Sequence, residues 1–197
     1  MILPIIAYGT PVLRKVCVEI ESTYPNLSEF ISNMWETMEN ANGVGLAAPQ
    51  IGTAIRIFIV DTSPFAEDDE LEDDERTYLG DFRKIFINAK ITSETGEEWV
   101  FNEGCLSIPD VREDVFRKKT ITIEFLDENF EKQTLNLEGL AARVVQHEYD
   151  HIEGILFTDK LSSLKKRLIK KKLENISKGK IDTDYRMRFY NPKRKTS

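Results

Sequence analysis

GLAARVVQHEYDH occupies residues 139–151, and its spacing predicts a helix that carries a metal site. Residues four apart lie on the same face of a helix, so His147 and His151 can bind one metal ion together. Glu148 directly follows the first histidine and can reach a metal-bound water as a general base. The chain has 2 histidines and both fall in this motif, which makes a chance pair of core or surface histidines a poor explanation. We therefore predict a catalytic metal centre on this helix.

Two histidines leave that centre incomplete, because catalytic sites of this kind use three protein ligands and one open position. No histidine follows His151, but Glu174 lies 23 residues downstream in a lysine-rich segment. With Glu174 as third ligand, the site would be that of a zinc peptidase with the HExxH motif. Cys105 is the better candidate, because it lies in NEGCLS (residues 102–107), where glycine permits a tight backbone path. A thiolate binds Fe²⁺ or Zn²⁺ strongly, so Cys105 would complete a His₂Cys site.

The other segments predict an α+β domain. Residues 26–42 have helical spacing of apolar side chains, with Asn26 as the cap and Asn42-Gly43 as the stop. Further helices are predicted at residues 139–151 and 161–177. Strands are predicted at residues 55–60, 84–91, 99–101, 120–126 and 130–137, the last two as a hairpin. Because helices and strands do not alternate regularly, the order argues against a doubly wound sheet.

Composition indicates one cytoplasmic domain spanning residues 1–197. A chain of 197 residues with 41% hydrophobic content can bury one sizeable core. No run of about 20 apolar residues predicts a membrane span, and the N-terminus lacks the features of a signal peptide. Cys17 lies among apolar residues and is expected to be a small buried hydrophobe. The acidic residues 66–81, AEDDELEDDERTYLGD, predict an exposed and mobile loop.

Charge is distributed unevenly along the chain. Residues 160–197 contain 14 Lys or Arg against 3 Asp or Glu, whereas residues 1–159 contain 13 against 31. A basic C-terminal helix and tail attached to an acidic body suggests contact with an anionic partner. The alternative is a solvated helix with a frayed end.

Three segments resemble the signature motifs of the peptide deformylases. They are GVGLAAPQIG (residues 43–52), EGCLS (residues 103–107) and QHEYDH (residues 146–151), in the family's order. PVLR (residues 11–14) and GILF (residues 154–157) also look like family features, and the similarity covers roughly residues 5–175. The acidic insertion near residues 66–76 is not a general feature of the family. The resemblance implies an α+β fold with mixed sheets wrapped around a central helix that bears HExxH, followed by a C-terminal helix.

The resemblance also implies an activity, namely removal of the formyl group from the N-terminal formyl-methionine of nascent proteins. It implies one divalent metal ion held by Cys105, His147 and His151, with Fe²⁺ in the cell and Zn²⁺, Ni²⁺ or Co²⁺ as substitutes. Hydroxide formed at that ion would attack the formyl carbon, and Glu148 would transfer the proton to the leaving amine. The developing negative charge would be stabilised by two hydrogen-bond donors, the Gln50 side chain and the Leu106 backbone N–H.

Substrate contacts are implied less specifically. Residues implied to contact the formyl-methionyl peptide are Gly43, Val44, Gly45, Glu103, Arg112, Leu140 and Val144. Val44, Leu140 and Val144 would form the methionine pocket, and residues 43–45 would pair with the extended substrate backbone. The basic residues from 160 onward resemble the extension with which bacterial deformylases dock beside the ribosomal exit tunnel. No contact with DNA or membranes is implied.

Overall fold

Two β-sheets and four α-helices make up the fold in the computed structural model, which describes residues 1–191. The strands are β1 (Ile5–Ile6), β2 (Gly45–Ala47), β3 (Ile57–Asp61), β4 (Arg83–Cys105), β5 (Ile108–Leu126), β6 (Lys132–Glu138) and β7 (Met187–Arg188). The helices are α1 (Leu27–Asn40), α2 (Asp73–Asp81), α3 (Gly139–Ile152) and α4 (Ser163–Ser177). An antiparallel sheet has the order β2-β3-β4-β5-β6, and β1 pairs with β7 in parallel. This mixture confirms the predicted α+β class.

The predicted helices are present, and Asn26 occupies the N-cap position of α1, but its side chain does not cap the helix. Asn26 has a φ of 55°, in the left-handed region, and its side chain makes no capping hydrogen bond. The predicted stop is confirmed, because the Gly43 N–H donates to the Met38 carbonyl oxygen at 3.0 Å and closes the last turn of α1. In α4 the Ser162 hydroxyl accepts from the Lys165 N–H, so serine supplies that cap.

The acidic segment is not a loop throughout, and its second half forms α2 instead. Asp73, Asp74 and Glu75 occupy the first turn of α2, where negative charge complements the positive end of the helix dipole. Leu79 is 1% exposed and packs into the main core, which anchors the helix. Residues 68–72 connect α2 to the preceding turn without regular structure. The acidic residues that suggested a loop are therefore partly the first turn of a helix.

Strands β4 and β5 form one long hairpin that carries Cys105 at its tip. The separate strands predicted at residues 84–91 and 99–101 are one continuous strand, because residues 92–98 pair with β5 despite being polar and largely exposed. The hairpin turns at Leu106 and Ser107, directly after Cys105. The predicted hairpin between β5 and β6 is confirmed, and the Asp127 carboxylate accepts from backbone N–H groups in its turn.

Helix α3 is almost entirely buried against the larger sheet. It contacts all five strands of that sheet, and Ala141, Val145 and Ile152 are completely buried in the core between them. Its polar side chains are buried as well, including His147, Glu148 and His151. Buried polar groups require partners, so the polar face of α3 must be satisfied by other side chains or by ligands.

The C-terminal segment folds back onto the body as far as residue 191. Ile169, Leu173 and Ile176 bury one face of α4, and residues 181–190 alternate between half-buried and exposed side chains. β7 pairs with β1 near the N-terminus. The predicted basic tail extends to residue 197, and its last part (residues 192–197) lies outside the described residues. Within residues 1–191, no helix has the length and apolar character needed to cross a membrane.

Candidate active site

Cys105, His147 and His151 converge at one point between the β4–β5 turn and α3. Their ligand atoms lie within 4.8 Å of one another. Cys105 Sγ is 3.3 Å from His151 Nε2, close to the separation of about 3.5 Å expected for two ligands of one tetrahedral ion. In the metal-free protein, burial lowers the pKa of His151, whereas hydrogen bonds with Cys105 and Glu103 outweigh burial and raise the pKa of His147. Metal binding requires both imidazoles to be neutral, so it would release the proton held by His147. The donor set therefore fits a divalent metal ion of the Fe²⁺ or Zn²⁺ type.

Glu103 orients the first histidine of the motif. Its Oε2 lies 2.9 Å from His147 Nδ1, which leaves Nε2 of the same ring for the ligand cluster. Such a carboxylate partner fixes the tautomer and the ring orientation of a metal-binding histidine. Burial alone would raise the pKa of Glu103, but hydrogen bonds from Arg117 and His147 outweigh it and lower that pKa.

Two buried arginines complete a charged network behind His147. Arg117 donates to both oxygens of Glu103 at 2.7 and 2.9 Å and to Asp150 Oδ2 at 2.6 Å. Arg143 donates to Glu103 Oε1 at 2.9 Å and stacks its guanidinium on Trp99, 4.5 Å from the ring centroid. The network links β4 and β5 to α3. It therefore fixes the position of the strand that supplies Cys105 relative to the helix that supplies both histidines.

Glu148 is buried beside the ligand cluster with an unsatisfied carboxylate. Among the described residues, its Oε2 has no hydrogen-bond partner. Burial raises the pKa of Glu148 to about 7, against an ordinary value of 4.5. A carboxyl that titrates near neutrality and retains a free oxygen is suited to accept and return a proton.

Glycine is required where Glu148 meets β2. A Cβ at Gly45 would lie 2.7 Å from the Glu148 side-chain Cδ, closer than real Cβ contacts come. A Cβ at Gly43 would likewise lie 2.8 Å from the Leu106 side chain. These two glycines of the first motif let the edge of the sheet approach the second and third motifs.

Gln50 presents its amide nitrogen to the same cluster. Its Oε1 accepts from the Ala47 N–H at 2.8 Å, which fixes the orientation of the amide. Its Nε2 then lies 3.5 Å from Cys105 Sγ and 3.4 Å from Ser107 Oγ. Leu106 adjoins Cys105 in the turn, so both predicted donors lie beside the ligand cluster.

A cleft of about 250 Å³ opens beside these residues. The predicted site residues that line it are Gly43, Val44, Gly45, Gln50, Glu103, Cys105, Leu106, Arg112, Val144, His147 and Glu148. Leu140 is not among the lining residues and packs against the main core instead. Both carboxylate oxygens of Glu103 are bonded to Arg117, and one of them also to His147. The Arg112 guanidinium donates to the Asn102 side chain on the neighbouring strand.

Sequence reasoning missed four side chains that line the cleft, namely those of Asn42, Phe65, Phe101 and Arg143. Phe65 lies in a short 3₁₀ turn after β3, and nothing in the sequence connects it to the metal motif. Arg143 lies four residues before His147, so helical spacing could have placed it on the same face.

Glu174 does not join the site. It is exposed on α4, whereas the metal-ligand cluster consists of Cys105, His147 and His151. The zinc-peptidase alternative with Glu174 as third ligand is therefore not supported.

Comparisons with known proteins agree with this geometry. The family model described as Polypeptide deformylase matches residues 2–167. A peptide deformylase of Christiangramia forsetii is 67% identical over 194 residues, which cover 98% of this chain and 99% of the relative. One from Flavobacterium johnsoniae is 65% identical over 189 residues, covering 96% of each chain.

Solved structures of peptide deformylases share the fold of this chain. The crystal structure of a peptide deformylase from Legionella pneumophila aligns with a TM-score of 0.76 and 34% identity, covering 91% of this chain and 98% of that one. That of the peptide deformylase from Thermotoga maritima aligns with a TM-score of 0.71 and 36% identity, covering 82% and 99%. With its sequence matched over nearly its whole length and its fold shared, the chain belongs to the polypeptide deformylase family of metal-dependent hydrolases.

Proposed function

We propose that this enzyme acts in the cytoplasm on nascent proteins, removing the formyl group from their N-terminal formyl-methionine and releasing formate. The observation that carries the proposal is the convergence of Cys105, His147 and His151 beside the unsatisfied carboxylate of Glu148. We also propose that α3 is the central helix around which the sheets are arranged. Its near-complete burial and its contacts with five strands support that view.

Cys105, His147 and His151 would hold one divalent ion, Fe²⁺ in the cell. When bound, such an ion supplies Lewis acidity and lowers the pKa of a coordinated water towards neutrality. Glu103 acts through His147, whose Nδ1 it holds at 2.9 Å. Because both its oxygens already have partners, we assign Glu103 to positioning His147 and not to binding substrate.

Glu148 would accept the proton from the attacking water and return it to the leaving amine nitrogen. Burial raises the pKa of Glu148 in the metal-free protein to about 7, and this opposition to ionisation supports a role in accepting and returning a proton. Gln50 Nε2 and the Leu106 N–H would donate to the formyl oxygen as negative charge develops there. The fixed amide of Gln50 supports this role, because a donor that is already oriented needs no reorganisation during the reaction.

The substrate backbone would extend the larger sheet. β2 lies at the edge of that sheet, and Gly43, Val44 and Gly45 line the cleft. An extended peptide can pair with such an edge through main-chain hydrogen bonds. The close approach of Gly45 to Glu148 leaves little room for an acyl group larger than formyl.

The methionine side chain would occupy the apolar end of the cleft. Val44 and Val144 contribute as the sequence indicated, joined by Phe65 and Phe101. Leu140 packs against the same core cluster as Val44 and Phe65. Arg112 also lines the cleft and would contact the peptide backbone beyond methionine.

Formate release from a formyl-Met-Ala-Ser peptide tests the proposal, with protein purified without oxygen so that ferrous iron survives. Wild type is expected to release formate, and Glu148→Ala to lose activity by at least about 100-fold because proton transfer is lost. An acetyl-Met-Ala-Ser peptide serves as the substrate control and should not be cleaved. If metal-replete wild type released no formate, the proposal would fall.

A further inference from the structure

Two segments, residues 5–8 and 185–188, meet at the turn that presents Cys105. The Leu106 carbonyl oxygen accepts a hydrogen bond from the Tyr185 hydroxyl at 2.8 Å. The next carbonyl, that of Ser107, accepts from the Tyr8 N–H at 2.9 Å. Both carbonyl groups of this two-residue turn are therefore held by segments outside the hairpin.

The two segments that hold the turn are joined to each other. The Ile5 N–H donates to the Arg186 carbonyl at 2.9 Å, and the Ala7 N–H donates to the Arg188 carbonyl at 3.0 Å. These bonds form the parallel pair of β1 and β7. The two segments thus act as one unit at the turn, and we call this pair with Tyr8 and Tyr185 the terminal clamp.

Apolar packing fixes the clamp to the same turn. Ile181, Met187 and Phe189 pack against a core cluster that contains Ile108, and Cys105 packs against that cluster as well. These three residues lie on the half-buried side of the alternating C-terminal segment, as Tyr185 does. The Tyr185 hydroxyl therefore reaches Leu106 from a packed segment directly before β7.

The clamp also contacts the first motif. The Arg188 guanidinium lies against Gly52, in the space that a Cβ would occupy, and Gly52 has a φ of 96°. Gly52 follows Gln50 by two residues at the end of a 3₁₀ turn. Residues 185–188 thus touch both segments that carry the proposed oxyanion donors.

We propose that Tyr185 is a positioning residue for the reaction, and that its hydroxyl fixes the Leu106 carbonyl and thereby the backbone that presents the Cys105 thiolate and the Leu106 N–H. This inference rests on the proposed function of the site. Tyr185 lies beyond residues 2–167, the part matched by the family model, so the family assignment alone does not supply this role. It also does not line the cleft, so its effect is expected on rate and not on substrate binding.

The test is Tyr185→Phe in the full-length chain, which removes the hydroxyl and keeps the packed ring. We expect kcat to fall about tenfold with KM within about twofold, because a small displacement of reacting groups costs rate strongly. Tyr190→Phe is the matched control, since Tyr190 lies in the same segment but is 48% exposed. It should behave as wild type.

A second readout does not depend on turnover. Cobalt-substituted protein reports ligand geometry through its visible absorption, and Tyr185→Phe should shift that spectrum whereas Tyr190→Phe should not. Unchanged kcat and an unchanged cobalt spectrum in Tyr185→Phe would overturn the inference. If wild type itself released no formate, the proposed function would fail separately, and the cobalt spectra would still decide whether Tyr185 positions the turn.

Discussion

At the scale of single residues, the site depends on a carboxyl group that folding makes hard to ionise. Burial raises the pKa of Glu148 to about 7, so the folded metal-free protein retains a proton that the unfolded chain releases near pH 4.5. Stability therefore falls as pH rises between those two values and stays low above them. An ionisable carboxyl at position 148 therefore lowers the free energy of unfolding near neutral pH, while it supplies the group proposed to transfer the proton.

Glu148→Gln is expected to stabilise the metal-free protein at pH 8 by on the order of 3 kcal/mol and to leave stability at pH 4.5 nearly unchanged. The amide keeps the shape of the side chain and is neutral at both pH values. Urea unfolding of chelator-stripped proteins at the two pH values measures this difference. Glu97→Gln, at an exposed position of β4, is the control and should show no such dependence. An equal effect of Glu148→Gln at both pH values would refute a raised pKa.

Gly45→Ala should remove activity while leaving the fold intact. The added methyl group would press on the Glu148 carboxylate, and displacement by about 1 Å can cost roughly 100-fold in rate. Formate release measures the effect, with circular dichroism as a check on folding. Gly80→Ala is the matched control, because its Cβ would meet only Ala66 at an ordinary 3.5 Å. Near-normal activity in Gly45→Ala would show that this contact is not critical.

At the scale of elements, the hairpin and α3 are held together by buried charges. Glu103 on β4 binds Arg117 on β5 and both Arg143 and His147 on α3. Removing one partner of a buried ionic network leaves the remaining charges uncompensated. The position of Cys105 relative to the two histidines should therefore depend on Glu103.

Glu103→Gln is expected to lower the free energy of unfolding by about 3 kcal/mol and to weaken metal binding at least about tenfold. Denaturant unfolding and competition with a chelator measure the two effects. Glu113→Gln removes a more exposed carboxylate that pairs with Lys165, and it should cost less than about 1 kcal/mol. Similar losses in the two variants would contradict a special role for the buried network.

Sequence patterns predicted elements well where the local spacing and the tertiary structure agree. HEYDH predicted both histidines on one helical face, and the structure brings Cys105 to them at the end of β4, directly before the turn at Leu106 and Ser107. The pattern failed where distant contacts decide the structure. Residues 92–98 look polar, but pairing with β5 makes them strand, and Leu79 anchors a helix within an acidic run.

The prediction of the site succeeded for residues in short sequence motifs and was incomplete for residues that the fold brings in from a distance. The motifs supplied the ligands, Glu148 and Gln50, because each belongs to a short spaced pattern. Phe65 and Phe101 reach the cleft only through the packing of the fold, and Leu140 is directed to the core despite its position on α3. Tyr185 contacts Leu106 across 79 positions of sequence, a separation at which local patterns carry no information.

At the scale of the whole molecule, the basic surface of α4 suggests a role in placing the enzyme. We propose that α4 docks beside the ribosomal exit tunnel. The basic C-terminal helix resembles the extension with which bacterial deformylases dock there, and this resemblance supports the proposal. One face of α4 is buried, while its lysines and the 71%-exposed Leu168 face solvent. Because α4 also carries core residues, truncation would disturb the fold, and surface charge changes are the sharper test.

Arg167→Glu combined with Lys171→Glu should weaken ribosome binding roughly tenfold and reduce its salt dependence by about two counterions or more. Pelleting with ribosomes over a range of salt concentrations measures both. Lys90→Glu combined with Lys132→Glu makes the same change in net charge at exposed positions of β4 and β6 and serves as control. Equal weakening by both pairs would indicate a general charge effect and not docking through α4.

The most direct measurement is formate release while metal is returned to chelator-stripped protein. Under anaerobic conditions, Fe²⁺ should restore cleavage of formyl-Met-Ala-Ser, with activity saturating at one ion per chain, because Cys105, His147 and His151 form a single site. Stripped protein alone should release no formate. Activity that persisted without metal, or no formate at any metal concentration, would contradict a metal-dependent deformylase built on these three residues.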